Sequence, residues 1–175
     1  MDIILDRDGV INLDSDAYVK NADEWIPIKS SIDAIALLHQ AGHRVFVATN
    51  QSGVGRGYFS LETLAAMHEK MLSLVNGAGG QIIDIAFCPH SPEDACDCRK
   101  PKSGLLTSLS IKNNIQLEQA IVIGDSLRDL QAAIDVQATP LLVLTGKGKK
   151  TQQQHPDLNV STFENLYDAV QHIIA

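Results

Sequence analysis

In the sequence IILDRDGV, residues 3–10, a short apolar run passes directly into charged residues, which is the strongest single indication of the fold. Such a run of aliphatic, mainly β-branched residues is typical of a buried parallel strand. In an extended chain, residues two apart point the same way, so Asp6 and Asp8 converge while Arg7 points elsewhere. An isolated Asp-x-Asp pair is a weak signal. Its position at the end of a strand makes it a candidate site.

Similar apolar runs recur along the chain and alternate with helical patterns. Strands are predicted at 3–5, 44–49, 82–87, 120–124 and 140–145. Helices are predicted at about 32–42, at 61–75 behind the candidate N-cap Ser60, and at 104–113, 127–137 and 163–174, the last with Phe163, Leu166, Val170 and Ile173 on one face. This alternation predicts an α/β fold with a doubly wound, mainly parallel sheet. Its ligand should bind outside the carboxyl ends of the strands.

Length and composition restrict the class of protein. A chain of 175 residues suits one domain, 1–175, with one core. The formal net charge of -7 argues against a nucleic-acid partner, which requires a broad basic face. No apolar run is long enough to span a bilayer and no targeting segment opens the chain, so we expect a cytoplasmic protein with no membrane partner. A monomer is expected.

Polar residues follow three of the predicted strands. Asp125 lies at the tip of the fourth strand, and Asp129 lies one turn into the next helix. Carboxylates that face one crevice repel unless a cation compensates them, and Mg²⁺ prefers oxygen ligands. The second strand ends in TNQS, residues 49–52, followed by the glycine-rich GVGRGYF, residues 53–59, which could cradle an anion through backbone N–H groups. Lys100 could add positive charge.

All three cysteines lie within eleven residues, together with a histidine. A cytoplasmic location keeps thiols reduced, so Cys88, Cys96 and Cys98 are ligands or inert core residues rather than a disulfide framework. A compact cluster that includes His90 favours a metal site. The alternative is three buried cysteines with an unrelated histidine.

Four segments, in chain order, resemble the motifs of the haloacid dehalogenase superfamily of phosphotransfer enzymes: DRDGVIN, VATNQSG, CRKP and GDSLRDLQAA. The segment FCPHSPEDACDCRKP resembles the zinc loop of the D-glycero-D-manno-heptose 1,7-bisphosphate 7-phosphatases and of the related histidinol-phosphate phosphatases. YVKNADEWIPI, TNQSGVGRGYF and TGKGKKT are most similar to the heptose enzymes. The resemblance runs from residue 3 to about 150, and it departs from the family pattern at Ala17 and Ser103.

The resemblance implies a structural Zn²⁺ in the loop 88–98, held by Cys88, His90, Cys96 and Cys98. Four protein ligands leave no open position for water. A loop rich in proline and acidic residues buries little, and a bound metal would order it. Because Arg99 and Lys100 follow the last ligand, this metal would direct two cations at the phosphate crevice.

The resemblance also implies a covalent phosphatase mechanism. Asp6 is the nucleophile, Asp8 is the general acid and base, and Mg²⁺ is held by Asp6, the backbone carbonyl of Asp8 and Asp125. Thr49 and Lys100 bind the transferring phosphoryl group, with Asp129 in support. The predicted substrate-binding residues are Asp14, Tyr18, Asn50, Gln51, Ser52, Arg56, Arg99 and Ser126. No long insertion separates the motifs, so loops rather than a large cap domain must give specificity.

The implied activity is removal of the C7 phosphate from heptose 1,7-bisphosphate, a phosphorylated sugar, in ADP-heptose and lipopolysaccharide core biosynthesis. One alternative is a histidinol-phosphate phosphatase with the same chemistry and another leaving group. A second alternative is a zinc-stabilised binding module without catalysis. His39 and His68 lie on helical patterns with apolar neighbours, where a packing histidine is the ordinary explanation, and we assign them no role.

Overall fold

The computed structural model describes residues 1–175 and contains one six-stranded parallel sheet. The strand order is β3-β2-β1-β4-β5-β6, and every neighbouring pair is parallel. The strands are β1 Asp2–Leu5, β2 Arg44–Asn50, β3 Asp84–Cys88, β4 Ile121–Gly124, β5 Thr139–Val143 and β6 Ser161–Phe163. The first strand therefore lies inside the sheet, between β2 and β4, as the doubly wound prediction requires.

Six α-helices lie between the strands, and a seventh follows the last strand. They are α1 Lys29–Gln40, α2 Ser52–Gly55, α3 Leu61–Gly77, α4 Gly104–Asn113, α5 Leu127–Asp135, α6 Gly148–Gln154 and α7 Leu166–Ile174. Short 3-10 helices lie at Pro92–Asp94 and Leu117–Gln119. No helix combines the length and the apolar character needed to cross a membrane.

The two faces of the sheet carry separate cores, because side chains alternate along each strand. Ile3 and Leu5 of β1 pack into a cluster with α1, α3 and α7. Ile4, between them, packs on the other face into a cluster with α4 and α5. The buried run of β1 thus stabilises both layers of helices, which explains why this strand reads as continuously apolar.

The sequence predicted the existence and type of most elements. The N-cap Ser60 is confirmed, because its side chain accepts a hydrogen bond from the Thr63 N–H. The helix predicted at 163–174 is wrong at its start: Phe163 belongs to β6, pairs with Val143, and the helix begins at Leu166. This edge strand has only three residues, too few for a period of two to stand out. The short helices α2 and α6 were also missed.

The core of the helical layer gives a matched test of stability. Ile35 of α1 is fully buried, whereas Ile111 of α4 is 80% exposed. We expect Ile35→Ala to lower the free energy of unfolding by about 2 to 5 kcal/mol, because it leaves a cavity in the core. Ile111→Ala should change it by less than about 0.5 kcal/mol. Denaturant unfolding of both variants checks this, and equal losses would contradict the assignment of the core.

Candidate active site

One polar crevice lies at the carboxyl ends of the strands. Of its 18 lining residues, only two are hydrophobic, so it suits a charged ligand. Thirteen of the residues predicted from the sequence line it: Asp6, Asp8, Asp14, Tyr18, Asn50, Gln51, Ser52, Arg56, Arg99, Lys100, Asp125, Ser126 and Asp129. The crevice therefore collects side chains that lie up to about 120 residues apart in the chain, as the parallel topology predicts.

Lys100 lies at the floor of the crevice and is 4% exposed. Its Nζ donates to Asp6 Oδ1 at 2.9 Å, to Asp129 Oδ1 at 2.6 Å and to the Ala48 carbonyl at 2.7 Å. Burial opposes the charge, but Asp129 and Asp6 outweigh it and raise the pKa of Lys100 above its ordinary value. Lys100 is thus a fixed cation beside Asp6.

Asp129 holds Lys100 from the first turn of α5. Its Oδ2 accepts hydrogen bonds from the backbone N–H and the hydroxyl of Ser126, at 3.1 and 2.9 Å. This reciprocal cap fixes the carboxylate relative to the helix N-terminus. Both oxygens of Asp129 are then occupied, since Oδ1 binds Lys100. Ser126 lines the crevice, but its hydroxyl already serves this cap.

Three carboxylates crowd together beside Lys100. Ligand oxygens of Asp6, Asp125 and Asp129 lie within 4.8 Å of one another. Burial and the nearby Asp129 raise the pKa of Asp6 to about 6, and burial and the charge of Asp6 raise the pKa of Asp125 to about 9. Asp125 Oδ2 accepts from the Lys147 backbone N–H at 2.8 Å.

This cluster fits a magnesium ion. One lysine does not compensate three buried carboxylates, and hard oxygen donors are the ligands that Mg²⁺ prefers. Asp6 Oδ2 and Asp125 Oδ1 take part in none of the protein's hydrogen bonds, so each is free to bind a cation. Asp129 is fully engaged, which leaves Asp6 and Asp125 as the side-chain donors.

Asp8 lies in a different environment from Asp6, although only one residue separates them. Its Oδ1 accepts from Arg7 Nε at 3.0 Å, from Arg7 Nη2 at 2.8 Å and from Asn12 Nδ2 at 2.9 Å, and its Oδ2 accepts from Gln51 Nε2 at 2.9 Å. Burial opposes ionisation, but Arg7 and these hydrogen bonds lower the pKa of Asp8. The site thus contains two carboxylates with oppositely shifted pKa values.

The position of Arg7 corrects the sequence interpretation. The side chain leaves the chain away from the crevice, as alternation predicts, but its guanidinium folds back beneath Asp8 and is fully buried. Strand alternation alone could not show this, because the contact depends on a long, flexible side chain.

The TNQS segment differs from the sequence prediction in one respect. Thr49 is fully buried and does not line the crevice; its hydroxyl accepts a hydrogen bond from Gln51 Nε2 at 2.9 Å. Asn50, Gln51 and Ser52 do line it. A role of Thr49 in phosphoryl binding stays a prediction.

The glycines after this segment allow close packing, and a role of the segment as an anion cradle stays a prediction. A Cβ on Gly53 would collide with the ring of Phe59, and one on Gly55 would lie 2.6 Å from the carbonyl oxygen of Pro89. Gly55 also donates its N–H to that carbonyl at 2.8 Å. The glycine-rich segment therefore packs tightly against the cysteine loop.

The cysteine loop presents a compact set of soft ligands. Cys88 Sγ lies 3.5 Å from His90 Nδ1, 3.5 Å from Cys96 Sγ and 2.8 Å from Cys98 Sγ, and His90 Nδ1 lies 3.3 Å from Cys98 Sγ. A tetrahedral zinc site separates its ligand atoms by roughly 3.6 to 3.8 Å, given bond lengths of about 2.0 to 2.3 Å. All three thiols are free. The distance between Cys88 and Cys98 is shorter than this spacing, so that pair would separate around a bound Zn²⁺, which the four ligand atoms could then hold.

The loop is connected to the crevice through Lys100. Asn50 pairs with the Lys100 backbone in both directions: its Nδ2 donates to the carbonyl at 3.1 Å, and its Oδ1 accepts from the N–H at 3.0 Å. An ordered loop therefore fixes the backbone from which the Lys100 side chain enters the crevice.

Cations line the rim of the crevice. Burial and the charge of Arg128 lower the pKa of Arg99, so these guanidinium groups lie near each other. Arg99 Nη1 is buried and has no hydrogen-bond partner. Arg128 and Lys147 also line the crevice and were missed in the sequence, as was Val19. A positive residue in the first turn of a helix, where the macrodipole disfavours it, was the available signal for Arg128.

A family model and a solved structure identify the class of protein to which the chain belongs. Residues 97–169 match a family model described as HAD-hydrolase-like. A solved D,D-heptose 1,7-bisphosphate phosphatase from Bordetella bronchiseptica, complexed with magnesium and phosphate, superposes with a TM-score of 0.96 and 45% identity over 99% of this chain and 97% of that one. The fold is thus that of a haloacid dehalogenase-like hydrolase.

The sequence relatives are more specific. A D-glycero-beta-D-manno-heptose-1,7-bisphosphate 7-phosphatase from Neisseria meningitidis is 53% identical over 98% of this chain and 94% of its own length. A relative of the same name from Pseudomonas putida is 49% identical over 98% of both chains. The chain belongs to the D-glycero-beta-D-manno-heptose-1,7-bisphosphate 7-phosphatase family.

The zinc site gives a testable prediction. We expect protein purified without chelators to retain one tightly bound zinc per chain after dialysis, and His90→Ala to lose most of it, because three ligands hold the ion less tightly than four. His39→Ala, which removes an exposed histidine of α1, is the matched control and should keep its zinc. Elemental analysis measures both. Native protein without zinc would contradict the assignment.

Proposed function

We propose that the protein removes the C7 phosphate of D-glycero-beta-D-manno-heptose 1,7-bisphosphate through an aspartyl-phosphate intermediate. The observation that carries this proposal is the 53% identity to a phosphatase of that name over 98% of the chain. The crevice supports it independently, because it contains a nucleophile, a second carboxylate and a buried cation. These groups also argue against a binding module without catalysis.

Asp6 is the proposed nucleophile. A carboxylate oxygen forms a bond to phosphorus, and the bond between phosphorus and the sugar oxygen breaks. Lys100, 2.9 Å from Asp6 and held by Asp129, neutralises charge on the phosphoryl oxygens as the group transfers. Because burial and three hydrogen bonds fix the ammonium group, little reorganisation is needed during the reaction.

Asp8 is the proposed general acid and base. It gives its proton to the departing sugar oxygen, then accepts a proton from the water that attacks phosphorus and releases phosphate from Asp6. Arg7 and the amide donors favour the ionised form, which suits the second step. A bound phosphate adds negative charge beside Asp8 and raises its pKa, which favours the protonated form needed in the first step.

Two metal ions belong to the proposal. Asp6, Asp125 and the backbone carbonyl of Asp8 would hold Mg²⁺, which when bound supplies positive charge next to the transferring group. The thiols and imidazole of the loop 88–98 would hold a structural Zn²⁺. We place the reaction in the cytoplasm, where thiols stay reduced, and in ADP-heptose and lipopolysaccharide core biosynthesis. We also propose that the enzyme acts as a monomer.

The cationic rim is the proposed site for the second phosphate. Arg99 carries a buried N–H group without a partner, and its planar fork suits an oxyanion. Arg56, Arg128 and Lys147 line the same crevice. Tyr18, which also lines the crevice, contacts Tyr58 with a ring-centroid distance of 5.0 Å, and Asp14 lies 3.7 Å from Lys147 Nζ. These loop residues would bind the sugar.

A phosphate-release assay with Mg²⁺ tests the proposal. We expect native protein to hydrolyse the heptose bisphosphate far faster than histidinol phosphate, and Asp6→Asn to retain its fold but lose nearly all turnover, because an amide is not a nucleophile. Circular dichroism and zinc content of the variant provide the control. Faster hydrolysis of histidinol phosphate would replace the substrate, and no hydrolysis of any phosphate ester would favour a binding module.

Removal of the Arg99 guanidinium tests whether the cationic rim binds the second phosphate. We expect Arg99→Ala to reduce kcat/KM for the bisphosphate roughly ten- to a hundredfold, because a charge-assisted bidentate contact contributes about 1.5 to 3 kcal/mol. Hydrolysis of a simple aryl phosphate should change much less. Lys112→Ala is the control, since its side chain is 71% exposed and pairs with Asp84 at the opposite end of the sheet. Equal losses for both substrates would instead assign Arg99 to the transferring phosphoryl group or to the loop.

A further inference from the structure

The guanidinium beneath Asp8 has one partner that the mechanism does not use. Arg7 Nη1 lies 3.2 Å from Nε2 of His68, a residue 61 positions away on α3. His68 is the sole hydrogen-bond partner of that nitrogen, because Nε and Nη2 bind Asp8 and Nη2 also contacts Gln51 Oε1 at 3.3 Å. Both Arg7 and His68 are buried.

The direction of this hydrogen bond follows from the chemistry of the two groups. A guanidinium has donors and no acceptor, so His68 Nε2 must accept. The ring proton then resides on Nδ1. Burial and the charge of Arg7 lower the pKa of His68 to about 4, consistent with a neutral ring.

We propose that His68 is a positioning residue for phosphoryl transfer: by accepting the Arg7 N–H, it fixes the guanidinium that orients the Asp8 carboxylate toward the leaving group. The inference rests on the proposed function of Asp8 as general acid. Two of the four hydrogen bonds to Asp8 come from Arg7, so a rotation of this guanidinium releases half of them.

Packing alone does not account for a histidine at this place. The neighbouring buried residues of α3 are Leu64, Met67, Met71 and Val75, and they fill the core with apolar side chains. An apolar residue at 68 would fill space equally well. It would leave a buried, charged N–H group without an acceptor, which is costly, and Arg7 would turn to find another partner.

A comparison of leaving groups separates this role from a structural one. A sugar or alkyl alkoxide needs a proton from Asp8, whereas p-nitrophenolate leaves without one. We expect His68→Leu to reduce kcat/KM for the heptose bisphosphate roughly ten- to a hundredfold and for p-nitrophenyl phosphate less than about threefold. His68→Gln, which keeps an acceptor oxygen, should restore most of the activity on the bisphosphate.

Val75→Ala is the matched control, because it removes a buried side chain of the same helix without touching Arg7. It should lower Tm but leave the ratio of the two kcat/KM values unchanged. If His68→Leu lowers both values by one factor, or neither, the positioning role is overturned. A native protein that hydrolyses neither ester would instead overturn the proposed function.

A measurement on the native protein keeps the inference testable if His68→Leu does not fold. Nitrogen NMR of the histidine rings, assigned by the signal lost in His68→Gln, reports the tautomer. We expect a protonated Nδ1 and an unprotonated Nε2 for His68. A proton on Nε2 would show that the ring cannot accept from Arg7 and would overturn the proposal, whatever the activity.

Discussion

The site depends on one buried ammonium group, that of Lys100. It joins the end of β1 through Asp6, the backbone of β2 through Ala48 and the start of α5 through Asp129. A buried charge is tolerated only when it is paired and hydrogen-bonded, and here three acceptors satisfy its three protons. Removing any one acceptor would leave a buried N–H of the ammonium group without a partner, which is costly. The hydrogen bonds that fix the Lys100 ammonium group beside Asp6 are therefore also required for the crevice to pack.

The placement of Lys100 depends in turn on the cysteine loop. This loop between β3 and α4 has few apolar side chains apart from its cysteines, which contact the core, so a bound metal would stabilise its shape further. Its carbonyl at Pro89 receives the N–H of Gly55, and Asn50 grips the backbone of Lys100 from both sides. A side chain on Gly55 would separate the two segments. The cysteine loop and the crevice are thus held together by direct hydrogen bonds, so a change in one would shift the other.

The sequence predicted the parts of the site that depend on short-range rules. Asp6 and Asp125 follow apolar strands directly, and a parallel sheet brings strand ends to one edge, so their convergence needed no further information. The contact of Arg7 with His68 joins residues 61 positions apart through side-chain conformation, which no periodicity encodes. The helical pattern placed His68 on the buried face of α3, but it could not show which residue His68 would contact there.

The same limit explains the interpretation of the glycines. The sequence pattern around Gly53 and Gly55 predicted an anion cradle, because glycine lets backbone N–H groups approach an anion. Their close contacts with Phe59 and Pro89 depend on the tertiary structure, and they show that a Cβ at either glycine would collide with protein atoms. What the sequence could not distinguish was the reason for the absence of a Cβ.

Asp6 and Asp8 differ in their surroundings, and this difference connects the fold to the proposed chemistry. Asp6 shares a pocket with two other carboxylates, and burial together with their charge raises its pKa to about 6, which a divalent cation would reverse. Asp8 accepts hydrogen bonds from the guanidinium of Arg7 and from two side-chain amides, and these donors lower its pKa. Two groups of one chemical type thereby acquire different roles. The partners of Asp8 are its chain neighbours Arg7 and Asn12 together with Gln51 after β2, whereas Asp6 lies beside Lys100, Asp125 and Asp129. The tertiary structure thus gives different surroundings to two carboxylates that are two positions apart in the chain.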